Sequence, residues 1–342
     1  VVDGDGTVVV PSALWMSDSD PNIERWWVDL PSYDTLANLE RVHKDVLEIQ
    51  NLRDFIKSEI TDSIFNDPDN IILDNVSTLV SDDTRLHYTL HSPLTLGVEA
   101  GGKYTGQDPI TREIREEIPG VTYRQIGEVQ FISVPTDIAY TLRLQGYEQG
   151  YFSLDVDKQE GNTIAESISF QGISSLASTV VTMDIPTNPE ITENDLQIDK
   201  DGDGDIDITF NPQLDGTVTP HPFNGFLQPI NDTTYQVDQK PSVFKVGSTI
   251  PVKFQLKKTD ETIIQTSTSP IFLFSRIISP MSASIDESVY SLPATTGNTF
   301  RWDPISQQYI YNWSTKVQPV GWYKISTQLD DGGTYSAVIG LK

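Results

Sequence analysis

Beyond residue 70, apolar and polar residues alternate with a period of two over most of the chain. The stretches "RLHYTLH", "EVQFISV", "AYTLRLQ", "YFSLDVD" and "STVVTMDI", and later "TIPVKFQLK", "QQYIYNW" and "GWYKISTQL", all read this way. Successive side chains of a strand point to opposite faces, so this pattern buries one face and leaves the other to water. Clusters of Gly, Pro, Asp and Asn separate the stretches. Many short strands at such spacing predict an antiparallel sandwich or barrel. "DDGG" (330–333), between "GWYKISTQL" and the closing stretch "TYSAVIGLK", marks a hairpin turn.

Two polar segments, "SIFNDPDN" (63–70) and "QLDGTVTPHP" (213–222), read as linkers. They divide the 342 residues into segments 1–65, 66–212 and 213–342. Helical periodicity is confined to the first segment. Asn51 is placed as an N-cap with Asp54 three residues on, and Leu52, Phe55, Ile56 and Ile60 fall on one face of a helix over 52–61.

Charge narrows the possible partners. Forty-nine acidic residues against 23 basic ones give a formal net charge of −26. Such a surface repels phosphate backbones, which argues against nucleic acid, and it suits divalent cations. There is no cysteine, so disulfides, thiolate metal sites and cysteine nucleophiles are excluded together. No run approaches the roughly 18 apolar residues of a transmembrane helix.

The most specific motif is "DKDGDGDID" (199–207). Asp199, Asp201 and Asp203 alternate, Gly204 permits a tight turn, and Asp207 occupies the ninth position. Carboxylates this close repel one another unless a cation lies among them. The pattern is that of a calcium loop, with Asp205 contributing its backbone carbonyl. Phe210 stands at the twelfth position, where an EF-hand carries Glu, and the flanks alternate as strands. The loop therefore resembles the β-hairpin calcium loops of integrin α-subunits, and its expected cofactor is Ca2+. A solvated acidic turn is the plainer alternative.

The N-terminal stretches "GDGTVVVPSAL" and "RVHKDVLEIQNLRDFI" resemble the C-terminal end of lipase-like α/β-hydrolases of the lecithin:cholesterol acyltransferase and lysosomal phospholipase type. The resemblance implies that Asp5 is the triad acid and His43 the general base, acting on a lipid or other ester substrate. Asp5 serving a turn and His43 lying on the surface is the simpler reading of each residue alone. No Gly-x-Ser-x-Gly elbow occurs, and the nearest stretch, "GISSL" (172–176), lacks the second glycine. Without a nucleophile an Asp–His pair makes no acyl-enzyme, so the chain as it stands is expected to be inert. It begins on Val1, without methionine, and is read as the C-terminal portion of a longer secreted ester hydrolase.

"VFKVGSTIPVKFQL", "TFRWDPISQQYIYNWSTK" and "GWYKISTQLDDGGTYSAVIGLK" resemble the bacterial PxKF-type C-terminal module, with Pro251, Lys253 and Phe254 as its namesake residues. That implies a structural or adhesive role on an extracellular protein. The expected fold is thus mainly β: a truncated α/β-hydrolase piece followed by two β-sandwich domains. A non-enzymatic extracellular adhesion or carbohydrate-binding protein is the alternative, with contact to a cell surface or polysaccharide. Two smaller features accompany it. His87 and His91 share a strand face, read either as a metal site completed by neighbouring carboxylates or, more simply, as an exposed face. Trp302, Trp313, Trp322, Tyr309, Tyr311 and Tyr323 offer either a sugar-stacking platform or core filling.

Overall fold

Strand Gly150–Glu160 shows how the alternation folds: Phe152, Leu154 and Val156 are buried, while Ser153, Asp155 and Asp157 between them are partly exposed. The computed structural model describes residues 26–28, 33, 47, 49–61, 63–69, 71–73, 84–91, 93–161, 163–212, 216–236 and 239–342. The chain divides into two compact units, Val1–Arg85 with Gln159–Ala165, and Leu86–Lys158 with Glu166–Lys342.

In the first unit the expected helix is present as Gln50–Thr61. Asn51 does not cap it. It lies inside the first turn, and its Nδ2 donates to Asp67 Oδ1 at 2.6 Å. Asp67 Oδ2 also accepts from the Ile72 N–H, so this carboxylate ties the helix to the following strand. Phe55 is buried beside Ile49, Ile71 and Ile72, with the Trp26 ring 4.7 Å and the Phe65 ring 5.3 Å from its own. Ile56 and Ile60, placed on the same face by the periodicity, are 39% and 79% exposed.

The α/β-hydrolase piece expected over 1–65 is corrected by this arrangement. That fold needs a parallel central sheet covered by helices on both faces. The described residues instead hold a two-stranded antiparallel ladder, Trp27–Val28 against Ile72–Leu73, and the one complete α-helix, Gln50–Thr61. The rest of the described chain is built of strands, so the lipase-like hydrolase reading is withdrawn. With it goes the ester substrate.

The second unit is mainly β. Among the described residues, one six-stranded sheet runs in the order Gly216–Val218, Thr163–Ser175, Gly150–Glu160, Thr84–His91, Val129–Pro135, Thr122–Ile126. Its apolar face meets part of an eleven-stranded sheet. The Tyr88 and Tyr140 hydroxyls, one from each sheet, lie 2.7 Å apart in the buried space between them. Gln130 also reaches across, donating to Leu94 O at 2.7 Å and accepting from Leu96 N–H at 2.9 Å. These buried polar groups are all bonded, as burial requires.

The eleven-stranded sheet continues through Ile114–Glu116, Lys103–Gln107, Leu94–Ala100, Tyr140–Gly146, Val180–Ile185, Leu196–Asp199, Ile208–Phe210, Gly333–Leu341, Gly321–Gln328 and Ile271–Ile277, with Val243–Phe244 pairing beside Gly333–Leu341. It thus takes strands from both sides of residue 212. Its second part faces a five-stranded sheet formed by Phe223–Phe226, Thr249–Lys257, Gln308–Ser314, Arg301–Asp303 and Ile263–Ile264. Aromatic rings fill that second interior: Phe272 stacks on Tyr311 at 4.3 Å and Phe223 on Tyr335 at 4.6 Å. The Gly321–Gln328 and Gly333–Leu341 strands pair in register around the expected "DDGG" turn. The "QLDGTVTPHP" stretch is not wholly linker, because Gly216–Val218 adds to the six-stranded sheet parallel to Thr163–Ser175.

Candidate metal centre

The acidic loop 200–207 connects Leu196–Asp199 to Ile208–Phe210, which pair antiparallel with Ile198 opposite Ile208. Flanking Ile198 and Ile208 are buried, which fixes both ends of the loop to the sandwich interior. Asp199 organises the turn from inside. Its Oδ1 accepts from Gly202 N–H at 2.7 Å and Asp203 N–H at 3.2 Å, and its Oδ2 from Gly204 N–H at 2.9 Å. Asp203 Oδ1 accepts from Asp205 N–H at 2.9 Å. Gly202 has φ +81°, and a side chain there meets the Ser178 carbonyl at 2.7 Å, so glycine is required on two counts.

This fold of the loop brings Asp199, Asp201 and Asp207 together, with one carboxylate oxygen from each lying within 4.8 Å of the others. Asp199 and Asp207 are buried, and Asp201 is partly so. Asp203 and Asp205 are exposed and stand outside that convergence. Burial raises the Asp201 carboxyl, and the charges of Asp203 and Asp199 add to the effect. Asp207 is pushed up to about 6, chiefly by burial; hydrogen bonds from Thr234 and Lys200 pull the other way. A divalent cation among these oxygens relieves the repulsion, and hard carboxylate donors suit calcium or magnesium.

Asp207 is also the most heavily bonded residue of the loop. Its N–H donates to Ile198 O at 2.9 Å, and its O accepts from Ser336 N–H at 2.8 Å. Its Oδ1 accepts from the Thr234 hydroxyl at 2.6 Å and its Oδ2 from Lys200 N–H at 2.8 Å. Each carboxylate oxygen keeps a second lone pair for a cation. Lys200 turns inward, donating to Ser174 Oγ at 3.1 Å, with its ammonium 4.2 Å over the Tyr235 ring. Lys324 Nζ donates to Ile206 O. Thr234, Tyr235, Lys324 and Ser336 are the residues that sequence reasoning missed. Nothing in local spacing marks them, since each reaches the loop across the fold.

Asp5 and His43 lie outside the described residues. His91 Nε2 is 3.6 Å from Asp155 Oδ2 on an open face. His87, four strand residues away, is roughly 13 Å along the strand and cannot share a metal with it. Tyr309, Tyr311, Trp313 and Tyr323 are buried in the second sandwich, and Trp302 and Trp322 are partly buried. The sugar-stacking platform is therefore core. Phe254 and Pro251 are buried in strand Thr249–Lys257, with Lys253 partly exposed between them.

No family model matches this chain, and no curated protein does. The lipase-like and PxKF-type resemblances are thus carried by no match. Among solved structures it is similar to the tandem Ig repeats of Dlar, at 10% identity over 76% of this chain and 89% of that one, with a TM-score of 0.16. It is also similar to Dpr2 Ig1-Ig2 in complex with DIP-Theta Ig1-Ig3, at 12% identity over 76% of this chain and 91% of that one, TM-score 0.18. A third is the N-terminal eight Ig domains of Down Syndrome Cell Adhesion Molecule, at 10% identity over 72% and 32%, TM-score 0.17. At such TM-scores these likenesses carry no argument about what this chain binds.

Proposed function

We propose that this chain is an extracellular, non-enzymatic β-sandwich protein of the adhesion type, whose two sandwiches are braced by calcium at loop 199–207. The convergence of Asp199, Asp201 and Asp207 at the hairpin where the shared sheet passes from one sandwich to the other carries the reading. A cation there neutralises carboxylates that otherwise repel, and it holds a hairpin to which both halves are bonded. With no bidentate Glu at the twelfth position, affinity falls in the range of extracellular modules, ~10⁻⁴–10⁻³ M. A braced tandem of sandwiches offers its outer strand faces to a surface partner, protein or polysaccharide.

The test is calorimetric titration of the chain with calcium, alongside Asp201→Asn. That substitution keeps the oxygen that accepts the Asp203 N–H, so it removes charge while sparing the turn. One binding event in the parent and none in the variant supports the brace. Absence of binding heat in the parent up to 10 mM calcium returns the loop to a solvated acidic turn.

A further inference from the structure

The grip on Asp207 comes from the far side of residue 212. Thr234, 27 residues downstream, donates its hydroxyl to Asp207 Oδ1 at 2.6 Å and is itself buried. It belongs to a tight turn, where Asp232 O accepts from Tyr235 N–H at 3.1 Å and Gln236 N–H at 2.8 Å. Asp232 Oδ2 accepts from Phe226 N–H at 2.7 Å, so the turn is fastened to the five-stranded sheet. The next residue, Tyr235, carries the Lys200 ammonium over its ring and packs 5.7 Å from Phe223. Two consecutive residues of the second sandwich thus hold the second and ninth positions of the loop.

We infer that Thr234 is a positioning residue for the cation loop: by fixing the Asp207 carboxylate it sets the affinity for calcium, and calcium in return orders the turn 232–236. This rests on the calcium reading given above. The physical ground is that Asp207 supplies the one carboxylate of the converging three whose orientation is held by a side chain from outside the loop. Asp199 is oriented by loop N–H groups alone, and Asp201 accepts from the Asp203 N–H. Removing the Thr234 hydroxyl leaves one buried carboxylate oxygen short of its donor and the group held only through Oδ2, by the Lys200 N–H. Coupling between two binding events is reciprocal in free energy, so whatever the turn contributes to the ion, the ion returns to the turn.

The experiment uses the full chain, with calcium affinity measured by calorimetry for the parent, Thr234→Val and Thr234→Ser. Valine keeps the shape and removes the hydroxyl; serine keeps the hydroxyl. The expected result is about tenfold weaker calcium binding in Thr234→Val and affinity within about twofold of the parent in Thr234→Ser. Amide hydrogen exchange gives a second readout that needs no variant. Protection across 232–236 in the parent rises on adding calcium and falls with EDTA. Equal calcium affinity in the parent and Thr234→Val, even with a lower melting temperature in the variant, overturns the inference and makes Thr234 a packing residue. Unchanged exchange at 232–236 in a parent that binds calcium overturns it as well. A parent that binds no calcium removes the brace itself, and this coupling with it.

Discussion

Ile208 lies directly opposite Tyr335 in an antiparallel register, with Thr209 opposite Thr334 and Phe210 opposite Gly333. The strand leaving the acidic loop is thereby bonded to strand Gly333–Leu341, and the two sandwiches share one backbone ladder.

Phe210 anchors that ladder. Its ring is fully buried and meets the Tyr335 ring edge to face at 6.1 Å. Phe210→Ala removes a large core side chain and leaves a cavity, at a cost of about 3–5 kcal/mol. Urea unfolding followed by fluorescence is expected to show a midpoint lowered accordingly. A loss under 1 kcal/mol contradicts the central place given to this residue.

The two loop glycines separate steric from conformational cost. Gly202 and Gly204 both have positive φ, +81° and +97°, but a Cβ added at Gly204 meets nothing within 4 Å. Gly204→Ala carries backbone strain of the order of 1 kcal/mol. Gly202→Ala carries that strain plus the clash with the Ser178 carbonyl. Thermal melts are expected to rank the parent first, Gly204→Ala second and Gly202→Ala last.

Calcium is expected to raise the melting temperature modestly. At ten times the dissociation constant, a ligand bound only by the folded state contributes about 1.4 kcal/mol. For a protein of this size that is a shift of a few degrees. Scans in calcium and in EDTA should differ for the parent and coincide for Asp201→Asn.

Acid acts at the contact between His221 and Asp330. His221 Nε2 lies 2.6 Å from Asp330 Oδ1, and Asp330 Oδ2 accepts from the Ser267 hydroxyl and from the Ser267 and Thr268 N–H groups. Burial alone raises this carboxyl, but the bonds from Ser267, His221 and Thr268 outweigh it and hold it near 2, below the ordinary 3.8. Because the folded value is depressed, the ionised group stabilises the fold above about pH 4, and that contribution fades as pH falls toward 2. Solvent screening at this exposed residue limits that contribution to about 1 kcal/mol. Asp330→Asn should lower stability at pH 5 and converge on the parent near pH 2. A difference that stays constant across that window removes the ionic explanation.

How much of this was legible in the sequence depended on range. Alternation marked strands such as Gly150–Glu160 and Gln308–Ser314, because each carries its own period. The acidic loop was legible from nine consecutive residues. What escaped was non-local. Thr234 on Asp207, Lys200 over Tyr235, and Gly216–Val218 beside Thr163–Ser175 leave no trace in neighbouring residues. The helix was found, but its burial was not, since Ile56 and Ile60 satisfy the helical period while a two-stranded ladder leaves them exposed. The hydrolase reading failed for a related reason: a short Gly-Asp-Gly turn and a distant histidine fit many folds, and the antiparallel pairing at Ile72–Leu73 is not the one it needs.

The junction strand Ile208–Phe210 is only three residues long, against nine in its neighbour Gly333–Leu341. Under tension between the two sandwiches, load crosses this narrow ladder, and a short ladder ruptures before the long strands beyond it. The hairpin therefore acts as a mechanical fuse. On the calcium reading, an ion held by Asp199, Asp201 and Asp207 would raise the force at which it parts.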